Sequence, residues 1–159
     1  MKRSLAAIGF LMLMVSSVFA QDEHYGQGFV FFSPTVISHG EGSVAHFGGG
    51  GEALFKQVGV GGEIGYLTPW RYFSDGVGLF SANGSFHVPN ISKVHPFVTA
   101  GYSLVFREGS ANGFNFGGGV DYAMRERTGL RLEVRDNVFS NFGSENVHMI
   151  GFRVGFTFR

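Results

Sequence analysis

The chain has 159 residues, 12 basic and 12 acidic side chains, a formal net charge of zero and no cysteine. The missing cysteines exclude disulfides, thiol nucleophiles, thiolate metal sites and lipoprotein acylation, and the balanced charge leaves no electrostatic case for nucleic acid. Charged residues are 15%, against about 25% in ordinary soluble domains, while glycine (26) and phenylalanine (19) are abundant.

Residues 1–20 read as an address. Lys2 and Arg3 precede an apolar run from Leu5 to Val15, and Ser16, Ser17 and Val18-Phe19-Ala20 place small residues before a cut. These are the three parts of a secretory signal peptide. Cleavage after Ala20 would leave Gln21 first and a single domain over 21–159; the alternative is an uncleaved anchor helix. No later apolar run is long enough for a spanning helix.

Strand patterning then takes over. Residues 26–37 are aromatic and β-branched (Phe29, Val30, Phe31, Phe32, Val36, Ile37), and Ser38-His39-Gly40-Glu41-Gly42 turns the chain. In 43–55, Ala45, Phe47, Ala53 and Phe55 share a parity, and Lys56-Gln57 is a short reversal. Segment 58–67 sets Val58, Val60, Ile64 and Tyr66 against Gly59, Gly61, Glu63 and Gly65. A loop over 68–76 carries Pro69, Trp70, Arg71, Tyr72 and Asp75. Segment 77–88 sets Phe80, Ala82, Phe86 and Val88 against Ser81, Asn83, Ser85 and His87, and 89–93 turns.

Segment 95–106 sets Val98, Ala100, Tyr102, Leu104 and Phe106 against Thr99, Gly101 and Ser103, and 107–112 is another turn. Segment 113–124 sets Phe114, Phe116, Val120, Tyr122 and Met124 against Asn115, Gly117, Gly119 and Asp121, and Arg125-Glu126-Arg127 reverses it. Segment 128–136 alternates Leu130, Leu132 and Val134 with Arg131, Glu133 and Arg135. A polar loop over 137–146 leads to 147–158, where Ile150, Phe152, Val154, Phe156 and Phe158 oppose Gly151, Arg153, Gly155 and Thr157. An even number of alternating segments of about ten residues predicts an all-β, eight-stranded antiparallel up-and-down transmembrane β-barrel.

The polar face decides between water and lipid. It is mostly Gly, Ser, Thr and Asn, where a soluble strand would show Lys or Glu. Glycine weakens a strand, but an eight-stranded barrel has an interior only just wide enough for its side chains. Gly59, Gly61, Gly65, Gly101, Gly117, Gly119, Gly151 and Gly155 would make room there. Arg on the lipid face costs ~2–4 kcal/mol at mid-bilayer. Arg131, Glu133 and Arg135 together would then approach a domain's net stability of roughly 5–15 kcal/mol, so they point inward. By parity the lumen holds Glu52, Glu63, Asp121, Arg131, Glu133, Arg135 and Arg153. Cross-barrel ion pairs between Glu63, Asp121 or Glu133 and the arginines are expected to plug it; independent, partly hydrated charges are the alternative.

The residues His95-Pro96-Phe97-Val98-Thr99-Ala100-Gly101-Tyr102, Phe114-Asn115-Phe116-Gly117-Gly118-Gly119-Val120-Asp121-Tyr122, Leu130-Arg131-Leu132-Glu133-Val134-Arg135 and Gly155-Phe156-Thr157-Phe158-Arg159 resemble the small bacterial outer-membrane β-barrels of the OmpA/OmpX-like group. The likeness covers the last four strands well and the first four by general pattern. It implies an outer-membrane location, termini in the periplasm, loops 38–42, 68–76, 107–112 and 137–146 outside, and a non-enzymatic structural or interaction role. It also implies outer-membrane lipid and the barrel assembly machinery as partners, a monomer, and no cofactor. The family usually ends in an aromatic residue read by that machinery. Here Phe156 and Phe158 would supply the signal, although Arg159 is last.

The histidines (24, 39, 46, 87, 95, 148) show no metal-ligand spacing and suit turns or strand ends. Gly48–Gly51 and Gly59-Val60-Gly61-Gly62 precede no helix that could hold a phosphate. Outer-membrane lipid A deacylases are similar barrels with a His-x-Ser-Asn motif and a nearby acid. This chain has Val138-Phe139-Ser140-Asn141 and Glu145, with Val138 at the histidine position and His148 the nearby base candidate. The remaining alternatives are a soluble lipocalin-like periplasmic binder, with its Phe-rich face inside, and a narrow pore. Trp70, Arg71 and Tyr72 are either an external contact patch or a girdle anchor.

Overall fold

Side chains that alternate in polarity give a strand two unlike faces, and eight such strands can hide one face from lipid only by closing on themselves. The computed structural model describes residues 24–38, 42–89, 93–107, 109–140 and 146–159; residues 1–20, read as a signal peptide, lie outside them. The strands are β1 (His24–Ile37), β2 (Ser43–Phe55), β3 (Val58–Pro69), β4 (Val77–His87), β5 (Val94–Phe106), β6 (Ser110–Arg125), β7 (Thr128–Phe139) and β8 (Val147–Phe158). Each pairs antiparallel with the next, and β1 pairs with β8, as in Gly28↔Phe158 and Val36↔Ile150, to close the barrel. The expected eight-stranded antiparallel transmembrane barrel is the fold.

Four connections are shorter than the sequence pattern predicts: Arg125 ends β6, so the 125–127 turn keeps only Glu126 and Arg127, and three loops shrink likewise. Thr68 and Pro69 end β3. Ser110 pairs with Phe106, so β6 starts within the expected turn. Asn137–Phe139 continue β7, with Asn115↔Asn137 and Gly113↔Phe139 in register with β6. The reason is the same each time: main-chain pairing does not require apolar side chains, so strands outrun the hydrophobic pattern. Within loop 68–76 a single 3-10 turn forms at Phe73–Asp75. Lys56, in the β2–β3 reversal, sits in the left-handed region at φ 57°.

The oily face is outside. Phe116 and Phe152 are 47% and 50% exposed, whereas Arg131 is 6% exposed. This overturns the lipocalin-like alternative, which needs the Phe-rich face inside. Along β8 the outward Ile150, Phe152, Val154, Phe156 and Phe158 span eight rises of about 3.3 Å. Tilted by about 40°, they cover roughly 20 Å of depth, close to the ~25 Å apolar band of a membrane barrel. The band ends at Asp136, an outward acid paired with His148 at 2.7 Å.

Candidate functional site

The lumen is filled by residues of one parity from every strand, and its charges form two groups. Nearer the termini, Arg131 of β7 donates from Nε to Asp121 Oδ1 and from Nη2 to Asp121 Oδ2, both at 2.7 Å. Asp121 is its direct partner in the β6–β7 register, so this pair is local. The same Nη2 reaches across the barrel to Glu52 Oε1 of β2 at 2.7 Å. Glu52 also accepts from Ser85 Oγ at 2.8 Å and lies 3.5 Å from His87 Nε2. Gln27 Nε2 donates to Asp121 Oδ2 at 3.4 Å.

The second group lies deeper. Arg153 of β8 forks onto Glu63 of β3, with both bonds at 2.9 Å. Arg135 of β7 reaches the same Glu63 at 3.0 Å and bonds Glu133, two residues back on its own strand, at 2.5 Å. Forked guanidinium–carboxylate contacts fix direction as well as energy. The structure therefore brings Glu52, Asp121 and Arg131 together in one cluster and Glu63, Glu133, Arg135 and Arg153 in another. All seven side chains are buried. Four carboxylates face three guanidinium groups, and the neighbouring His87 and Ser85 complete the shell of Glu52.

Two of the three lumen arginines, Arg131 and Arg153, are also faced by aromatic rings whose inward placement the sequence pattern did not predict. The Arg131 guanidinium lies 5.0 Å from the Phe29 ring centroid and 4.6 Å from that of Phe97. That of Arg153 lies 4.2 Å from Phe31. A desolvated cation over a ring is worth ~2 kcal/mol or more, so these faces offset part of the cost of burying the charge. Parity carried a usable signal: Phe29 and Phe31 alternate in step with Gln27, Ser33 and Thr35, all buried polar residues of β1.

Toward the end away from the termini the lumen becomes apolar. Leu67, Leu79 and Phe139 form a buried cluster with Val44, Val77, Val105, Ala111 and Met149 packed against it. Between this cap and the ion pairs lies a layer of hydroxyls and amides: Ser81 to Ser103 at 3.0 Å, Ser103 to Asn137 at 3.1 Å, and Asn115 to Ser103 at 2.9 Å. His46 is not at a strand end but inside β2, buried edge-on to the Phe31 ring at 4.8 Å. Its Nε2 has no partner among the described residues and lies over Gly65, where a Cβ would collide with it.

The rim residues divide. Trp70 packs edge-on to the outward Phe32 at 5.9 Å, and Phe73 faces Phe47 at 6.5 Å. Tyr66 donates its hydroxyl to Phe73 O at 2.9 Å. Trp70 thus lies along the outer wall, while Arg71 and Tyr72 are exposed. Phe156 and Phe158 project outward from β8. Ser140 has no histidine partner among the described residues, and His148 turns its Nδ1 to Asp136 instead; Asn141 and Glu145 lie outside the described residues. No group of three or more potential metal ligands occurs among the described residues.

No family model and no curated protein matches the chain. Solved structures do match. Neisserial surface protein A is 18% identical, with a TM-score of 0.66 over 85% of this chain and 96% of that one. The N-terminal β-barrel domain of Pseudomonas aeruginosa OprF is 16% identical, with a TM-score of 0.61 over 86% of this chain and 100% of that one. This is the fold of the small eight-stranded outer-membrane barrels. A de novo designed transmembrane β-barrel matches as well, at 12% identity and a TM-score of 0.56 over 86% of this chain and 99% of that one. The barrel geometry is thus shared across sequences with little in common.

Proposed function

We propose that this protein is a monomeric, non-enzymatic barrel of the bacterial outer membrane, a sealed structural and interaction scaffold rather than a conduit. The observation that carries the reading is the double barrier inside: a layer of ion pairs across the barrel, from Arg131 to Glu52 and from Arg153 and Arg135 to Glu63, and an apolar cap of Leu67, Leu79 and Phe139 beyond it. A hydrated ion would have to break the first and be stripped of water by the second. Export through residues 1–20, periplasmic termini and an assembly signal at Phe156 and Phe158 complete the reading. Lipid contacts the outer wall, and Arg71 and Tyr72 are the residues free to meet an external partner.

Single-channel recording in planar bilayers tests it. The parent barrel should be silent. Glu52→Ala/Glu63→Ala removes the acceptors of all three cross-barrel pairs but leaves the cap, and Leu79→Ala/Phe139→Ala does the reverse, so each pair alone should raise conductance little. The four changes together should give steady conductance. Steady ion current through the parent barrel would defeat the proposal. Detergent-dependent extraction with heat-modifiable gel mobility, from outer rather than inner membranes, tests the location.

A further inference from the structure

The barrel end that carries the termini opens on a cavity of about 140 Å³, bounded by the starts of β5 and β7 and the ends of β6 and β8. Arg125, Arg127 and Arg159 line it, together with His95, Thr128 and Thr157. The backbone holds these groups in place. The β6–β7 register shifts between Ala123 and Arg125, a bulge that re-aims the side chains at the strand end. Arg159 N donates to Arg127 O at 3.0 Å, tying the tip of β8 to the turn. The Arg159 guanidinium lies 4.4 Å above the Tyr25 ring and donates to Gln27 at 3.0 Å.

The charge around this cavity is only partly compensated: three arginines line it, and Glu126 is the one lining carboxylate not already bound to Arg131. Asp121, at its floor, is taken up by the two bonds from Arg131. Glu126 sits in the turn between the two arginines, exposed. Among the described residues, neither Arg125 nor Arg127 has a carboxylate partner. In the lumen proper, by contrast, every arginine is paired.

We propose that this vestibule binds an oxyanion of the phosphate class. A guanidinium presents its donors as a planar fork. One fork already occupies both oxygens of a carboxylate, whereas a phosphate has oxygens enough for several forks at once. His95 and the two threonine hydroxyls add donors beside them. A water needs roughly 10–15 Å³ of such space, so the cavity holds an anion with part of its hydration. The phosphate could belong to a lipid headgroup of the adjoining leaflet or to a soluble ester; the chemistry is shared.

Calorimetric titration of the full barrel, folded in zwitterionic detergent, with inorganic pyrophosphate is the first arm. Saturable binding is expected, weakened at least about tenfold in Arg125→Gln/Arg127→Gln and only partly restored in Arg125→Lys/Arg127→Lys, which returns the charge without the fork. Arg71→Gln/Arg107→Gln removes the same charge from the opposite end and should leave the titration unchanged. The second arm compares thermal unfolding in phosphatidylcholine vesicles with unfolding in vesicles enriched in phosphatidylglycerol. A higher midpoint with phosphatidylglycerol that Arg125→Gln/Arg127→Gln abolishes assigns the site to the phosphate of an anionic lipid headgroup, one not already neutralised by a choline. Pyrophosphate binding without that response assigns it to a soluble ester. Heat-modifiable mobility verifies that each variant is folded, and Arg127→Gln alone serves if the double variant is not. The proposal is overturned if neither arm responds, or if Arg71→Gln/Arg107→Gln weakens binding as much as the vestibule pair.

Discussion

Arg153→Met probes the deeper ion cluster. Arg153 is 2% exposed, makes two 2.9 Å bonds to Glu63 and lies 4.2 Å from the Phe31 ring. Its removal leaves Glu63 and Glu133 sharing Arg135 alone, one buried carboxylate too many. Breaking one side of a buried pair costs ~3–5 kcal/mol, a large part of a net stability of roughly 5–15 kcal/mol. Arg153→Met/Glu63→Gln removes both charges, leaves Arg135 with Glu133, and should recover ~2–4 kcal/mol of the sum of the single costs. Urea unfolding of the barrel in lipid vesicles gives both quantities from midpoint and slope. Trp70, the single tryptophan, packed on Phe32 at the rim, is the fluorescent reporter. A cost for Arg153→Met below ~1 kcal/mol, or strict additivity of the two changes, would mean that the charges are separately hydrated and that no network exists.

The remaining expectations concern packing and the backbone. Gly119→Ala places a Cβ against the backbone of Leu132 and Glu133 on β7 and should cost ~1–3 kcal/mol. Gly84→Ala meets only ordinary contacts, Ala100 O at 3.9 Å and Gly59 O at 4.0 Å, and should be neutral or stabilising by ~0.4–1 kcal/mol; the same urea titration ranks the two. Lys56→Gly relieves a left-handed non-glycine residue and should raise stability by up to ~1 kcal/mol, seen as slower unfolding on gels. Leu132→Arg puts a charge on the lipid face opposite Val120 and should cost ~2–4 kcal/mol in vesicles if that level is mid-bilayer. An unchanged midpoint there would place Leu132 outside the hydrocarbon.

Parity carried most of the architecture into view. Arg131, Glu133 and Arg135 alternate with Leu130, Leu132 and Val134, and no closed sheet can hide one set without showing the other. The strand count and the reversals at Lys56-Gln57 and around Arg125-Glu126-Arg127 follow from the same period, although Arg125 itself belongs to β6. The strand ends were less legible. Asn137 and Phe139 look like loop because asparagine is a turn residue, yet register with β6 carries the ladder through them. Pairing is set by the neighbouring strand, which a single segment's composition does not contain.

The lumen was half legible, and the reason lies in phenylalanine. A charge has only one tolerable side in a membrane barrel, so its parity fixes its place. Phenylalanine is at home on both sides, against lipid as Phe152 or against a guanidinium as Phe31. In β1 both parities are aromatic, so the apolar pattern of that strand alone cannot separate Phe29 and Phe31 from Val30 and Phe32. What separates them is Gln27, Ser33 and Thr35 on the inner parity and Arg131 and Arg153 across the barrel. The apolar cap was hidden for the same cause: Leu67, Leu79 and Phe139 share their strands' inner parity with Glu63, Ser81 and Arg135. A lumen that changes from ionic to apolar along its axis shows as no single motif, because each strand contributes only one or two residues to each layer.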